Sequence, residues 1–159
     1  MGKIFGVEAR ATTYITDQQA RIKAVQDKIA GQGPVSVLVY DSRNDGVFTC
    51  SGSNFETLLI GQAGGRNIFD NLTEKAWITV SYEAVLARNP QVIIIHDYNA
   101  SSVAVKMAEI KGNDMLAQLD AVKNNRFVMI ELESVLPGNR LALYGGETCQ
   151  GLISCAVLT

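Results

Sequence analysis

The unbroken apolar run Val92–Ile95 constrains the fold of this chain more than any other sequence feature. A strand with one face in water alternates apolar and polar residues, whereas this run has no polar position. Such a run is typical of a central strand in a parallel sheet whose two faces are both covered by helices. The segment therefore predicts the middle of a layered α/β domain.

Strand and helix patterns alternate along the rest of the chain. The runs Val35–Tyr40 and Phe127–Ile130 predict buried strands, and Val47–Cys50 predicts a short edge strand. Apolar residues recur at helical spacing in five segments, namely 16–29, 55–63, 81–89, 99–111 and 115–122. We predict that Thr16 caps the first of these helices and that Gly31 ends it. The alternation predicts a three-layer α/β/α lobe with a mainly parallel sheet.

Length and composition exclude several classes of protein. The chain has 159 residues, 47% of them hydrophobic, which suits one folded domain and not a disordered segment. Its net charge is −2 and its basic residues are scattered, so the basic stripe of a nucleic-acid-binding protein is absent. No apolar run reaches the roughly 18 residues that a membrane span requires. The N-terminus lacks the features of an export signal. This is expected of a cytosolic protein, and a piece of an exported protein would look the same.

The three cysteines, Cys50, Cys149 and Cys155, do not have the spacing of a zinc site. We expect buried free thiols, with a disulfide between Cys149 and Cys155 as the alternative.

Polar residues follow each predicted strand of the parallel sheet. Ligands of open parallel sheets bind beyond the carboxyl ends of the strands, which selects three loops as candidate recognition sites. The residues selected in or beside these loops are Asp41, Ser42, Ser53, Asp97, Tyr98, Asn99, Glu133 and Arg140. Trp77 lies in the segment Glu74–Val80, which we interpret as a polar linker. Its ring either packs beneath that linker or offers a flat face to a ligand.

The sequence shows no catalytic constellation. The only histidine, His96, has no neighbouring nucleophile or second metal ligand in sequence, so an ordinary structural hydrogen bond is the favoured interpretation. The segment Gly64–Asn67 follows a helix and is interpreted as a helix end, since a phosphate loop joins a strand to a helix. Asp41 and Asp97 keep open one rival, a flavodoxin-like signalling or enzyme domain. For Arg140 three roles stay open, namely pairing with an anionic ligand, capping a helix and pairing with Glu133.

Five strings in one order resemble a known family. They are Ala63–Phe69, Trp77–Glu83, Val85–Ile95, Leu119–Arg126 and Pro137–Arg140. This series resembles the C-terminal half of the helical-backbone substrate-binding proteins, which deliver ferric siderophores, haem or cobalamin to ABC permeases. The resemblance spans roughly residues 3 to 140.

The resemblance implies a binding protein, not an enzyme. Such proteins have two α/β lobes joined by one long helix, with the ligand in the cleft between them. It implies that residues 1–13 are the tail of the connecting helix and that residues 14–159 are the C-terminal lobe, with the N-terminal lobe absent from this chain. It also implies a ferric siderophore as ligand, with haem or cobalamin as alternatives and no intrinsic cofactor. The location implied is periplasmic or extracellular, anchored to the membrane as a lipoprotein.

The chain departs from the family pattern at the helix before Gly64. The family often carries there a glutamate that docks on the permease, and Gly61 occupies that position, with Glu56 about one turn away. The resemblance therefore implies Glu56 as the docking residue. The family's closing helix usually ends in a His-Pro segment, which the C-terminal residues 145–159 do not contain.

Overall fold

The computed structural model describes residues 2–98 and 101–136 of the chain. Its strands are β1 (Val35–Tyr40), β2 (Ser42–Arg43), β3 (Val47–Cys50), β4 (Gly65–Asn67), β5 (Trp77–Val80), β6 (Val92–Asp97) and β7 (Phe127–Glu131). Its α-helices are α1 (Glu8–Ile29), α2 (Phe55–Gln62), α3 (Tyr82–Arg88), α4 (Val103–Gly112) and α5 (Asp120–Lys123). Two short 3₁₀ turns, Leu116–Gln118 and Leu132–Val135, complete the described elements.

Among the described residues, the main sheet has four parallel strands in the order β4-β1-β6-β7. The apolar run predicted to be central lies in β6, between β1 and β7, and its residues Val92 to Ile95 are fully buried. Unbroken burial arises because successive side chains point to opposite faces and both faces are covered. The prediction from this run is confirmed.

Each face of the main sheet carries its own hydrophobic cluster. Val39 and Ile94 pack on one face with α2 and the end of α1, and Ile93 and Ile95 pack on the other with α3, α4 and α5. Successive residues of one strand thus belong to different clusters, as the period of two in a strand requires. The three-layer α/β/α architecture predicted from the sequence is confirmed.

A second, antiparallel sheet of order β2-β3-β5 lies beside the first within the described residues. Its outer strand β5 begins at Trp77, so the interpretation of this segment as a polar linker is wrong. Thr79 on β5 pairs with Phe48 on β3, and both segments are rich in the β-branched and aromatic residues that favour strands. The sequence interpretation gave too much weight to the polar residues that precede the strand.

Strand β4 was not predicted because its residues, Gly65 to Asn67, have no strand pattern. Its pairing with β1 decides its conformation, and a Cβ at Gly65 would lie 2.7 Å from Ile60 Cγ2. The helix end predicted at this point is confirmed, since Gly64 has a φ of +80° directly after α2.

Helix α1 begins nine residues earlier than predicted, at Glu8 and not at the residue after Thr16. Thr16 lies inside the helix, because the residues before it are also helical. A residue acts as an N-cap only where the preceding backbone is not helical. The predicted end is confirmed, with Gly31 at a φ of +83° just beyond Ile29. No residue of α1 is buried. The helix is continuous across the predicted boundary between residues 13 and 14.

The predicted helix over 115–122 is replaced by a 3₁₀ turn and the short helix α5. Asn113 Oδ1 accepts hydrogen bonds from the backbone N–H groups of Met115 and Leu116, and Leu119 has an extended backbone. These contacts start one turn and end it within a few residues. In the described part of the chain, no helix combines the length and the apolar character needed to cross a membrane.

Candidate functional site

The carboxyl ends of β1, β6 and β7 lie side by side at one edge of the main sheet. Tyr40 at the end of β1 pairs with Ile95, and Asp97 at the end of β6 pairs with Glu131 at the end of β7. The loops that follow these strands therefore start at a common edge. The loops selected from the sequence at Asp41, Asp97 and Glu133 follow these three strands, and their role in ligand binding stays a prediction.

A cleft of about 530 Å³ opens at this edge. The described residues that line it are Asp97, Tyr98, Ser102, Glu131 and Glu133. Three carboxylates, a phenol and a hydroxyl therefore face the same space, and the described lining contains no cationic side chain. The negative charges of Asp97 and Glu131 favour a neutral or cationic occupant over an anionic one.

Ser102 and Glu131 were not among the predicted site residues. Ser102 caps α4, with its side chain accepting from the N–H of Val105 at 3.4 Å, so it lies where the chain leaves the strand edge. Glu131 ends β7. The rule that selected Asp97 at the end of β6 would also have selected Glu131.

Behind the cleft, His96 lies between two carboxylates. Its Nδ1 is 3.0 Å from Asp41 Oδ1, and its Nε2 is 3.0 Å from both carboxylate oxygens of Glu56. His96 is 0% exposed, and the two acids are 5% and 2% exposed. The pKa of His96 lies above neutrality, so at pH 7 the ring is an imidazolium and each of its nitrogens donates to a carboxylate oxygen.

The environment of His96 accounts for its charge. Burial by itself lowers the pKa of His96, but the hydrogen bonds and charges of Asp41 and Glu56 outweigh burial and raise it to about 9. Burial raises the pKa of Asp41, but the hydrogen bonds from His96 and Tyr98 outweigh burial and bring that pKa below its usual value. His96 is thus a structural residue, as the sequence interpretation favoured, although its contacts are ionic.

The burial of Glu56 contradicts the docking role predicted for it. A carboxylate that docks on another protein has to reach the surface, whereas that of Glu56 faces His96 inside the molecule. Asn54 caps α2 by accepting from the N–H of Glu56 at 2.9 Å, and this cap sets where the helix begins. Sequence reasoning placed Glu56 on the wrong side of α2 because the short helix is apolar on most of its faces.

Tyr98 connects this buried group to the cleft. Its hydroxyl donates to Asp41 Oδ2 at 2.7 Å, while its side chain also lines the cleft. Burial and the hydrogen bond to Asp41 raise the pKa of Tyr98 to about 12, so its phenol stays protonated. Beneath the ring, the ammonium of Lys106 lies 4.0 Å from the ring centroid. Lys106 was not found from the sequence, where it is one lysine in an ordinary helical segment.

The predicted residues Ser42, Trp77 and Ser53 lie away from the cleft lining. Ser42 hydrogen-bonds Asp41, and this contact helps to lower the pKa of that carboxyl. Trp77 stacks on Phe48 at 5.5 Å and meets the His96 ring edge-on at 5.8 Å, so of the two interpretations the packing one fits. Ser53 is exposed, and its hydroxyl lies 3.1 Å from that of Ser51. None of these three predicted residues lines the cleft.

Some predicted residues lie outside the described ranges. Asn99 and Arg140, both predicted to bind ligand, belong to this group. So do Cys149, Cys155 and the fifth of the five strings, Pro137–Arg140. Cys50 is a buried free thiol, as predicted. Among residues 2–98 and 101–136, no group of three or more histidine, cysteine or acidic side chains is arranged to hold a metal ion.

Comparison with known proteins adds three findings. A family model described as periplasmic binding protein matches residues 1–132. The iron(3+)-hydroxamate-binding protein YxeB of Bacillus subtilis is 23% identical over 151 residues, which are 86% of this chain and 45% of that protein. A periplasmic binding protein from Veillonella parvula has 31% identity and a TM-score of 0.87, covering 94% of this chain and 52% of that one.

The heme-binding protein RhuT from Roseiflexus has the same fold, with 21% identity and a TM-score of 0.80. The match covers 98% of this chain and 60% of that one. The chain therefore spans about half the length of the relatives that it matches.

Proposed function

Because the chain belongs to the periplasmic binding protein family, we propose that it is one ligand-holding lobe of a substrate-binding protein that captures a ferric chelate for an ABC permease. The family consists of substrate-binding proteins and not enzymes, which sets aside the flavodoxin-like rival. The single observation that carries the proposal is the cleft at the ends of β6 and β7, where Asp97, Tyr98 and Glu133 face one space.

The chemistry of the cleft supports a chelate of particular charge. Asp97 and Glu131 both line the cleft, and a bound anion would have to approach their two carboxylates. A cationic ferric hydroxamate is attracted by these carboxylates and a neutral one is not repelled, and the flat ring of Tyr98 offers either of them apolar contact. The iron(3+)-hydroxamate relative agrees with this choice. Haem and cobalamin are the alternatives.

We propose that a second lobe completes the site, with residues 1–13 belonging to the helix that joins the two. Two observations support this. The chain spans about half the length of its relatives, and the apolar side chains of Phe5, Tyr14 and Ile15 are at least half exposed near the start of α1. In this proposal the protein works outside the cytoplasmic membrane, in a periplasm or tethered to the cell surface as a lipoprotein.

Paramagnetic broadening in fluorine NMR tests the ligand site. The chain has five tyrosines, so fluorotyrosine labelling gives a separate signal for each, and Tyr98→Phe and Tyr14→Phe assign the two that matter. We expect a ferric hydroxamate to broaden the Tyr98 signal well before that of Tyr14, which is 57% exposed on α1. A gallium complex of the same hydroxamate, which is diamagnetic, should shift the Tyr98 signal without broadening it.

Three outcomes would count against the proposal. Equal broadening of the Tyr14 and Tyr98 signals would show non-specific contact. If the Tyr98 signal responds to haem or to cobalamin and not to the hydroxamate, the proposed ligand class is wrong and the responding compound indicates the correct one. Submicromolar affinity of this chain by itself would contradict the proposed second lobe, because half of a cleft supplies only half of the contacts.

A further inference from the structure

Lys106 is a lysine whose surroundings are unusual, since it is 0% exposed. Lysine is almost never fully buried unless its ammonium is paired, because removing the charge from water is costly. Here Nζ donates to the carbonyl oxygen of His96 at 2.7 Å. The same ammonium also lies over the face of the Tyr98 ring.

Charged groups of both signs surround Lys106 within a small volume. Asp41 and Glu56 contribute two carboxylates, while His96 and Lys106 contribute two cations. Asp97 at the cleft and Glu109 on α4 add further negative charge near the ammonium. The ammonium makes no ion pair within 4.0 Å among the described residues. A direct ion pair therefore does not hold the ammonium in place, and its position over the Tyr98 ring needs another explanation.

The Tyr98 side chain is fixed at two points. Its hydroxyl is bonded to Asp41 on the β1 side, and its ring face covers the ammonium of Lys106 on the α4 side. His96 holds Asp41 and is itself held by Glu56, so a continuous set of contacts connects α2 to the cleft. A tyrosine held in this way has little freedom to rotate.

We propose that Lys106 is a positioning residue that fixes the ring of Tyr98 at the cleft, so that a ligand meets a surface already in its binding conformation. The ring is held whether or not a ligand is present, and its use in binding rests on the proposed function. Ordering a free side chain on binding lowers affinity, so loss of this contact should weaken ligand binding about three- to tenfold.

Fluorine NMR of the ligand-free, fluorotyrosine-labelled chain tests the positioning role directly. In Lys106→Met the ammonium is lost, and we expect the Tyr98 signal to shift and broaden while the signals of Tyr14 and Tyr82 stay in place. Lys106→Gln keeps a donor for the His96 carbonyl but no charge, and should behave like Lys106→Met. Lys106→Arg restores a cation beneath the ring and should return the Tyr98 signal toward its original line width.

An unchanged Tyr98 signal in Lys106→Met, with reduced stability to urea, would overturn the proposal and leave Lys106 a purely structural charge. If Lys106→Met does not fold, Lys106→Gln decides. Failure of both to fold would also overturn the proposal, because the charge would then be needed for the core itself.

Titration with a ferric hydroxamate separates this inference from the proposed function. If the unmodified chain shows no response to the hydroxamate, the proposed function fails, and the ligand-free spectra still decide the role of Lys106. If the unmodified chain responds and Lys106→Met binds equally well, the positioning role in binding is wrong.

Discussion

The imidazole Nε2 of His96 lies 3.0 Å from both carboxylate oxygens of Glu56, although 40 positions separate the two residues in sequence. On the other side of the same ring, Asp41 makes the second ionic contact. Three buried ionisable groups from β6, α2 and the end of β1 thus meet directly behind the cleft. Their mutual dependence makes the stability of this region sensitive to pH and to the loss of any one partner.

The free energy of unfolding should fall as pH rises from about 6.5 to 9. The folded pKa of His96 is raised to about 9 from an ordinary value near 6.5, so protonation favours the folded state. This stabilisation is complete below the unfolded pKa and is lost as pH rises through the folded pKa. Its size is roughly 3 kcal/mol, because a pKa difference of one between the two states corresponds to about 1.4 kcal/mol. Urea denaturation at pH 6 and at about pH 9.5 measures it.

His96→Gln is the control for this pH dependence, since the chain contains one histidine. The variant should be less stable at pH 6 and should show little change in stability over the same pH range. An equally steep decline in His96→Gln would assign the effect to other groups.

Glu56→Gln should destabilise the chain by about 2 to 4 kcal/mol, because it removes one partner from a buried ionic group and leaves the imidazolium undercompensated. The same change should lower the pKa of His96, since Glu56 is one of the two groups that raise it. The fluorescence of Trp77, whose ring is edge-on to His96, reports the imidazole's titration. Glu74→Gln, an exposed carboxylate, is the matched control and should alter neither quantity.

Neutralising the cleft should shift its preference among chelates. In Asp97→Asn and in Glu131→Gln, affinity for a cationic ferric trihydroxamate should fall relative to an anionic ferric tricatecholate. We expect a change of about three- to tenfold for each charge, as Coulomb interaction near a protein surface implies. Competition titrations followed by the Tyr98 signal give the ratio, and Glu74→Gln again provides the control. A ratio that does not change would show that the cleft carboxylates do not face the bound chelate.

Local sequence patterns were sufficient for most of the elements. The β-branched run of β1 and the apolar run of β6 appear where predicted, because a strand buried on both faces has few residue choices. Ser81 caps α3 by accepting from Ala84 at 3.2 Å, and this too is a local signal. Strand β4 could not be found this way, because its pairing partner imposes its conformation.

In the candidate site, too, some residues could be predicted from the sequence and others could not. A rule about strand ends selected Asp41, Asp97 and Tyr98, because parallel strands deliver their carboxyl ends to one edge in any sheet of this kind. It gave no means of seeing that Glu56 faces inward or that Lys106 lies beneath Tyr98, since both depend on how α2 and α4 are rotated when they pack on the sheet.

Residue order and local pattern were thus enough to predict the layers, the central strand and the edge where the cleft opens. Which charges are buried together became visible only in the folded chain. The contacts that join these charges link residues some 10 to 57 positions apart, and such contacts depend on packing and not on local pattern.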